Sequence, residues 1–200
     1  MTNINLMAAI LFFVIFALVI LRNTISKIHI NLFWFCDFAP LLFGIGFLFQ
    51  IMPLIKGLIN IGLLAQLITS ITLVFSLIFG WHTLQIRDVI KHGKFHIFVE
   101  LLIHILPVNL ALFLTYKTAP TGASLVYSGI IAIAMFGTSK MFTPKKKNIN
   151  LIYLSQIDFG GSSIKFTLPF QTYLWAIYVF LLSLLTFFIQ YLFIGGHRLQ

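Results

Sequence analysis

Six long apolar runs, separated by short polar and basic connections, constrain this chain more than any other feature. They cover roughly Asn5–Leu21, Ile28–Met52, Gly57–Phe79, Phe95–Tyr116, Gly122–Ser139 and Thr172–Ile194. A helix rises about 1.5 Å per residue and a bilayer core is about 30 Å thick, so runs near this length read as membrane spans. Only 8% of the 200 residues are charged and 60% are hydrophobic, a composition that excludes an ordinary soluble domain. The expected fold class is all-α: one polytopic transmembrane bundle of about six helices, spanning residues 1–200 as a single domain in the cell membrane. The first run has no basic residue ahead of it, which speaks against a secretory signal peptide.

The charge pattern gives the bundle a direction. Arg22 and Lys27 follow the first run, and Arg87, Lys91 and Lys94 follow the third. Lys140, Lys145, Lys146, Lys147 and Lys165 follow the fifth, making ten of the thirteen basic residues. The positive-inside rule then places these connections in the cytoplasm and both termini on the extracytoplasmic side. The net charge of +9 therefore reads as attraction to anionic lipid headgroups, and membrane lipid is the expected partner, not nucleic acid. The long cytoplasmic connection 140–171 turns at Gly160-Gly161 and suggests a membrane-surface hairpin or a partly re-entrant cap. One cysteine rules out an internal disulfide framework, and no nucleotide, cofactor or zinc-protease motif is present. His92 and His96 share helical spacing but lack a third metal ligand, so neither a metal nor a cofactor is expected. Oligomeric state is not readable.

The second run carries a discordant segment, Trp34-Phe-Cys-Asp37, followed by Pro40. A mid-membrane carboxylate costs about 3 kcal/mol on insertion scales, and each Leu, Ile or Phe returns roughly 0.5. The run tolerates Asp37, yet an ionisable group at such a depth reads as a functional-site candidate. The fourth run supplies Glu100 and His104, four residues apart and so on one helix face. Cys36 and His104 lie at similar distances into their runs, about 12–14 Å from the inner boundary at helical rise. Pro40 and Pro107 remove the backbone donors for the Cys36 and Ile103 carbonyls, which should kink each helix and leave an acceptor for a neighbour or water. Cys36, His104, Glu100 and Asp37 are thus the candidate catalytic residues. Cys36 would be the nucleophile and His104 its base, with Glu100 a better orienter of the imidazole than Asp37. Gln50, Asn60, Gln66, Thr69, Ser70, Asn109 and Gln190 are expected to join helices through hydrogen bonds. Ser124, Ser128 and Ala132, at four-residue spacing, are expected to permit close packing.

At Trp34-Phe-Cys-Asp, Glu100-Leu-Leu-Ile-His-Ile-Leu-Pro107 and Asn148-Ile-Asn150 the chain resembles uncharacterised bacterial integral-membrane proteins. Those pair a W-F-C helix with a later histidine-and-proline helix and an N-x-N loop. More distantly it is similar to the androgen-induced family of intramembrane lipid-ester hydrolases, and to membrane acyltransferases with a Cys/His pair. The resemblance implies a nucleophile at Cys36 and a histidine at His104; the hydrolases carry threonine where this chain has Cys36. Three functions follow as expectations: a lipid-ester hydrolase or acyltransferase, a small-solute or proton-coupled transporter (or its binding subunit), and a non-catalytic assembly protein.

Overall fold

The computed structural model describes residues 3–27, 35–79, 91–142, 156–159, 162–165 and 171–195. They form six helices: α1 (Asn3–Ile25), α2 (Phe35–Leu48), α3 (Met52–Phe79), α4 (Lys94–Leu114), α5 (Gly122–Phe142) and α6 (Gln171–Gly195). Each falls on one of the six apolar runs. A short hairpin is added inside the connection from α5 to α6. Its strands β1 (Gln156–Phe159) and β2 (Ser162–Lys165) pair antiparallel, with Ile157 opposite Ile164. The paired strands flank Gly160-Gly161, themselves outside the described residues, as a hairpin in this connection requires. Trp34, Trp81, His29, His82, His197, the Lys145–Lys147 cluster and Asn148–Asn150 lie outside the described residues.

Helix α3 is central and packs against α2, α4, α5 and α6, while α1 packs on α2 and α4. Its start at Met52 places Pro53 in the first turn, where a missing N–H leaves no intrahelical bond unmade. Lys56 is therefore a helical residue, not part of a polar connection as the run boundaries suggest. At the α1–α2 contact Phe12 stacks on Phe43 and Phe47, with ring centroids 5.2 and 5.4 Å apart. Between α3 and α5 the backbones approach closely at Gly57, where a Cβ would stand 3.0 Å from the Ser124 carbonyl oxygen. Ser128 donates to the Gly57 carbonyl at 3.1 Å, so the small-residue face of α5 packs as its spacing predicts.

The distribution of polarity is inverted relative to a water-soluble bundle. Met7, Phe113, Ile133 and Phe193 are 70–74% exposed, whereas Arg22 and Lys56 are at most 1% exposed. Among the described residues, α1 and α4 are long and apolar enough to cross a membrane. Shorter apolar helical stretches occupy Phe35–Leu48, Met52–Leu67, Gly122–Thr138 and Val179–Ile194.

Candidate functional site

The site is built where the C-terminal end of α1 meets the N-terminal ends of α2 and α4. Run length ends the first helix at Leu21; the helix continues to Ile25 and carries Arg22 and Asn23 inward, both fully buried. Arg22 is thus a correction to the sequence reading, which treats it as a loop charge. Its Nη2 pairs with Asp37 Oδ2, and its Nη1 donates to Glu100 Oε1 at 2.6 Å. Nε and Nη2 also donate to Asn23 Oδ1 at 3.1 and 2.9 Å, and Asn23 Nδ2 donates to Asp37 Oδ2 at 3.0 Å. The guanidinium fork suits this task because it offers several donors in a fixed plane to two carboxylates at once.

Two histidines flank Glu100 on α4, one turn to either side. His96 Nε2 lies 3.5 Å from Glu100 Oε1, and His104 Nδ1 lies 3.4 Å from Oε2. Ser26 Oγ, just beyond the end of α1, sits 3.2 Å from His96 Nδ1. His104 Nδ1 is also 2.8 Å from the main-chain oxygen of Glu100. Both neighbours of that nitrogen are acceptors, so Nδ1 carries a hydrogen, and a neutral ring in this position has its lone pair on Nε2.

The structure therefore joins Asp37, Glu100 and His104 in one network and sets Cys36 at its edge. The Cys36 thiol has Asp37 Oδ1 as its polar neighbour, at 3.8 Å. Among the described residues no hydrogen bond links Cys36 to His104. The level partner of Asp37 across the bundle is Glu100, one turn before His104. Of the two carboxylates, Glu100 is the one beside the imidazole, with Oε2 3.4 Å from His104 Nδ1. Cys36 and His104 are half-buried while Arg22, Asn23, Asp37, His96 and Glu100 are enclosed. Sequence reasoning misses Arg22 as a member of the site and weighs His96 only as a metal ligand; a buried carboxylate calls for a cation but does not say which one.

On α4 the carbonyl expected to be freed by proline finds its donor on a neighbour. Pro107 frees the Ile103 carbonyl, and Gln66 Nε2 of α3 donates to it at 2.6 Å. Ser70 Oγ donates to the next carbonyl, His104, at 2.7 Å. Both helices run on through their prolines.

A second polar cluster occupies the other end of α4. Lys56 Nζ donates to the Thr115 carbonyl at 2.9 Å and to Gln190 Oε1 at 3.3 Å. Gln190 Nε2 donates to Asn60 Oδ1 at 2.8 Å, and Asn60 Nδ2 reaches Ser124 and Ser128. Asn60, Gln66, Ser70 and Gln190 thus join helices as expected, whereas Asn109 donates, among the described residues, to Ile105 of its own helix. No group of three metal-ligating side chains with metal-site geometry occurs among the described residues. No protein-family model matches the chain, and no curated protein or solved structure matches it significantly.

Proposed function

We propose that this chain is a multi-pass integral membrane protein whose Cys36–His104 region carries out acyl transfer on a lipid ester, as a hydrolase or acyltransferase. The exposed apolar surface around a charged interior supports burial of all six helices in a bilayer. The basic connections favour both termini outside. In that orientation the Arg22–Asp37–Glu100 cluster lies toward the cytoplasmic leaflet, and lipid reaches it from the side.

The observation that carries the reading is the state of His104. The main-chain oxygen of Glu100 accepts at Nδ1 from 2.8 Å, with the carboxylate 3.4 Å away to favour an imidazolium, and this leaves Nε2 of a neutral ring free as a base. The two residues with chemistry to offer, Cys36 and His104, are also the partly accessible ones. The Cys36 proton would pass to Nε2 as sulfur bonds the acyl carbon. The ester C–O bond then breaks and the leaving alcohol takes the proton from the imidazolium. Water, or an acceptor alcohol, releases the acyl group from the thioester. The test is lipid-ester turnover, together with labelling by a thiol-directed probe, in wild type and Cys36→Ala. Equal turnover by the variant rejects the mechanism.

A proton-coupled transporter is the second reading, favoured by charge count. One guanidinium faces two carboxylates, so the enclosed cluster is neutral only when one further proton sits on it. Proton flux in proteoliposomes that survives Cys36→Ala but disappears with Asp37→Asn would select this class.

A further inference from the structure

Lys56 is a buried cation that the Cys36–His104 region does not use. An ammonium carries three N–H groups, and a buried charge needs a partner of opposite sign. Lys56 Nζ gives two of its hydrogens to neutral acceptors, the Thr115 carbonyl at the end of α4 and Gln190 Oε1 on α6. No carboxylate pairs with it among the described residues. The chain has four acidic side chains. Asp37 and Glu100 are held by Arg22 at the opposite end of α4, and Asp88 and Asp158 belong to the connections after the third and fifth apolar runs. In the orientation proposed above, both those connections lie across the membrane from Lys56. Lys117, two residues past Thr115, adds an exposed cation at the Lys56 end.

The hydrogen bonds around Lys56 run one way, and Lys56 sets their sense because an ammonium only donates. Gln190 Nε2 donates to Asn60 Oδ1, Asn60 Nδ2 donates to Ser124 and Ser128, and both serines donate to main-chain carbonyls. Every side-chain oxygen in this series already accepts, while donors are left over. Among the described residues these are the third Lys56 N–H and the second hydrogen of Gln190 Nε2. Thr186 Oγ1 is a further one: it lies one turn before Gln190 on the same face of α6, fully buried and with no hydrogen-bond partner among the described residues. Spare donors beside an unpaired positive charge match a ligand that brings negative charge and lone pairs.

We propose that Lys56, Gln190 and Thr186 form a binding site for a monoanion, a carboxylate or a halide, between α3 and α6 at the end of α4. One ammonium in an otherwise neutral lining balances a single negative charge, whereas a dianion would keep one charge unpaired in an enclosed space. Lys56 is four residues from the start of α3, about 6 Å of helical rise, so the site lies close to the outer polar boundary. A fatty-acid carboxylate reaches that level from the outer leaflet, and chloride reaches it from water.

The test uses full-length protein in phosphatidylcholine nanodiscs, titrated separately with radiolabelled palmitate and radiolabelled chloride. Saturable binding above that of empty nanodiscs is measured for wild type, Lys56→Met and Thr186→Val. Wild type should bind one of the two probes saturably, and Lys56→Met should abolish that binding. Thr186→Val removes a hydroxyl that has no partner, so its fold should be as stable as wild type or more so. It should nevertheless bind at least about tenfold more weakly, as expected for losing a hydrogen bond to a charged group. Saturation by palmitate assigns the site to a lipid carboxylate, and saturation by chloride alone assigns it to a soluble anion. No saturable binding by wild type, or undiminished binding by Thr186→Val, overturns the site. Lipid-ester turnover does not enter the measurement, so the result is independent of the acyl-transfer reading.

Discussion

Asp37 of α2 and Glu100 of α4 are held by the same guanidinium, that of Arg22 on α1. Three helices are therefore tied at one point by a charge set that cannot lose its cation without leaving two carboxylates facing each other in an enclosed space. Removing one partner of a buried ion pair typically costs about 3–5 kcal/mol, because the remaining charge stays desolvated. Arg22→Gln should destabilise the protein by this amount, read as a lowered midpoint of unfolding in detergent. Arg22→Lys should restore only part of it, since an ammonium cannot span both carboxylates in a fixed plane. Full stability in Arg22→Lys would mean that charge alone, and not the fork, joins the helices.

Glu100→Gln separates orientation from charge. The variant keeps the Arg22–Asp37 pair at one positive and one negative charge, so the fold is expected to persist. The main-chain oxygen at position 100 still accepts from His104 Nδ1, so what the variant loses is the carboxylate charge that would stabilise an imidazolium. Turnover should fall by about 10²–10⁴ in kcat, the range for a positioned proton-transfer group, with KM little changed. A fall in KM-limited binding alone would assign Glu100 to the substrate and not to the imidazole.

How much of this was legible beforehand follows from what each residue says locally. Glu100 and His104 announce a shared face by their spacing, and the structure adds which imidazole nitrogen faces the carboxylate. Six apolar runs became six helices because length alone decides that question. Arg22 was not legible, because a charge closing an apolar run looks interfacial; only the distant Asp37 and Glu100 turn it inward. Lys56 was hidden in the same way, by a helix that begins at Met52 ahead of its apolar run. The Pro107 acceptor could be named from sequence, but not its donor Gln66, since that depends on how two helices register.

The α3–α5 contact predicts a steric result. A Cβ at Gly57 would stand 2.9 Å from the Tyr127 Cβ and 3.0 Å from the Ser124 carbonyl oxygen, neither of which is the end of a flexible side chain. Gly57→Ala should therefore push α3 from α5 and cost about 1–3 kcal/mol, as overpacking typically does. Gly129→Ala, with nothing within 4 Å of its Cβ, is the control that should leave the unfolding midpoint unchanged or slightly raised.

Lys56 lies at the C-terminal end of α4, where it takes up the Thr115 carbonyl and the Gln190 amide oxygen. A cation is well placed there, against the negative end of the helix dipole. Lys56→Met keeps the volume and removes the donors, leaving two buried acceptors with one partner fewer. The expected loss is about 1–3 kcal/mol, the penalty of an unsatisfied buried group. A variant as stable as wild type would show that desolvating the ammonium costs as much as its hydrogen bonds return.

Gln66 and Pro107 make the most discriminating pair. Proline leaves the Ile103 carbonyl without its helical donor, and Gln66 Nε2 supplies one from α3 at 2.6 Å. Gln66→Leu alone should cost about 1–3 kcal/mol by stranding that carbonyl. In a Pro107→Ala background the residue at position 107 has its own N–H to offer, so the same Gln66→Leu change should cost less. A coupling energy of about 0.5–3 kcal/mol between the two positions is expected from the double-mutant cycle, measured by unfolding. Additive effects would mean that Gln66 acts elsewhere. Its Oε1, buried with no hydrogen-bond partner among the described residues, would then be the first atom to pursue.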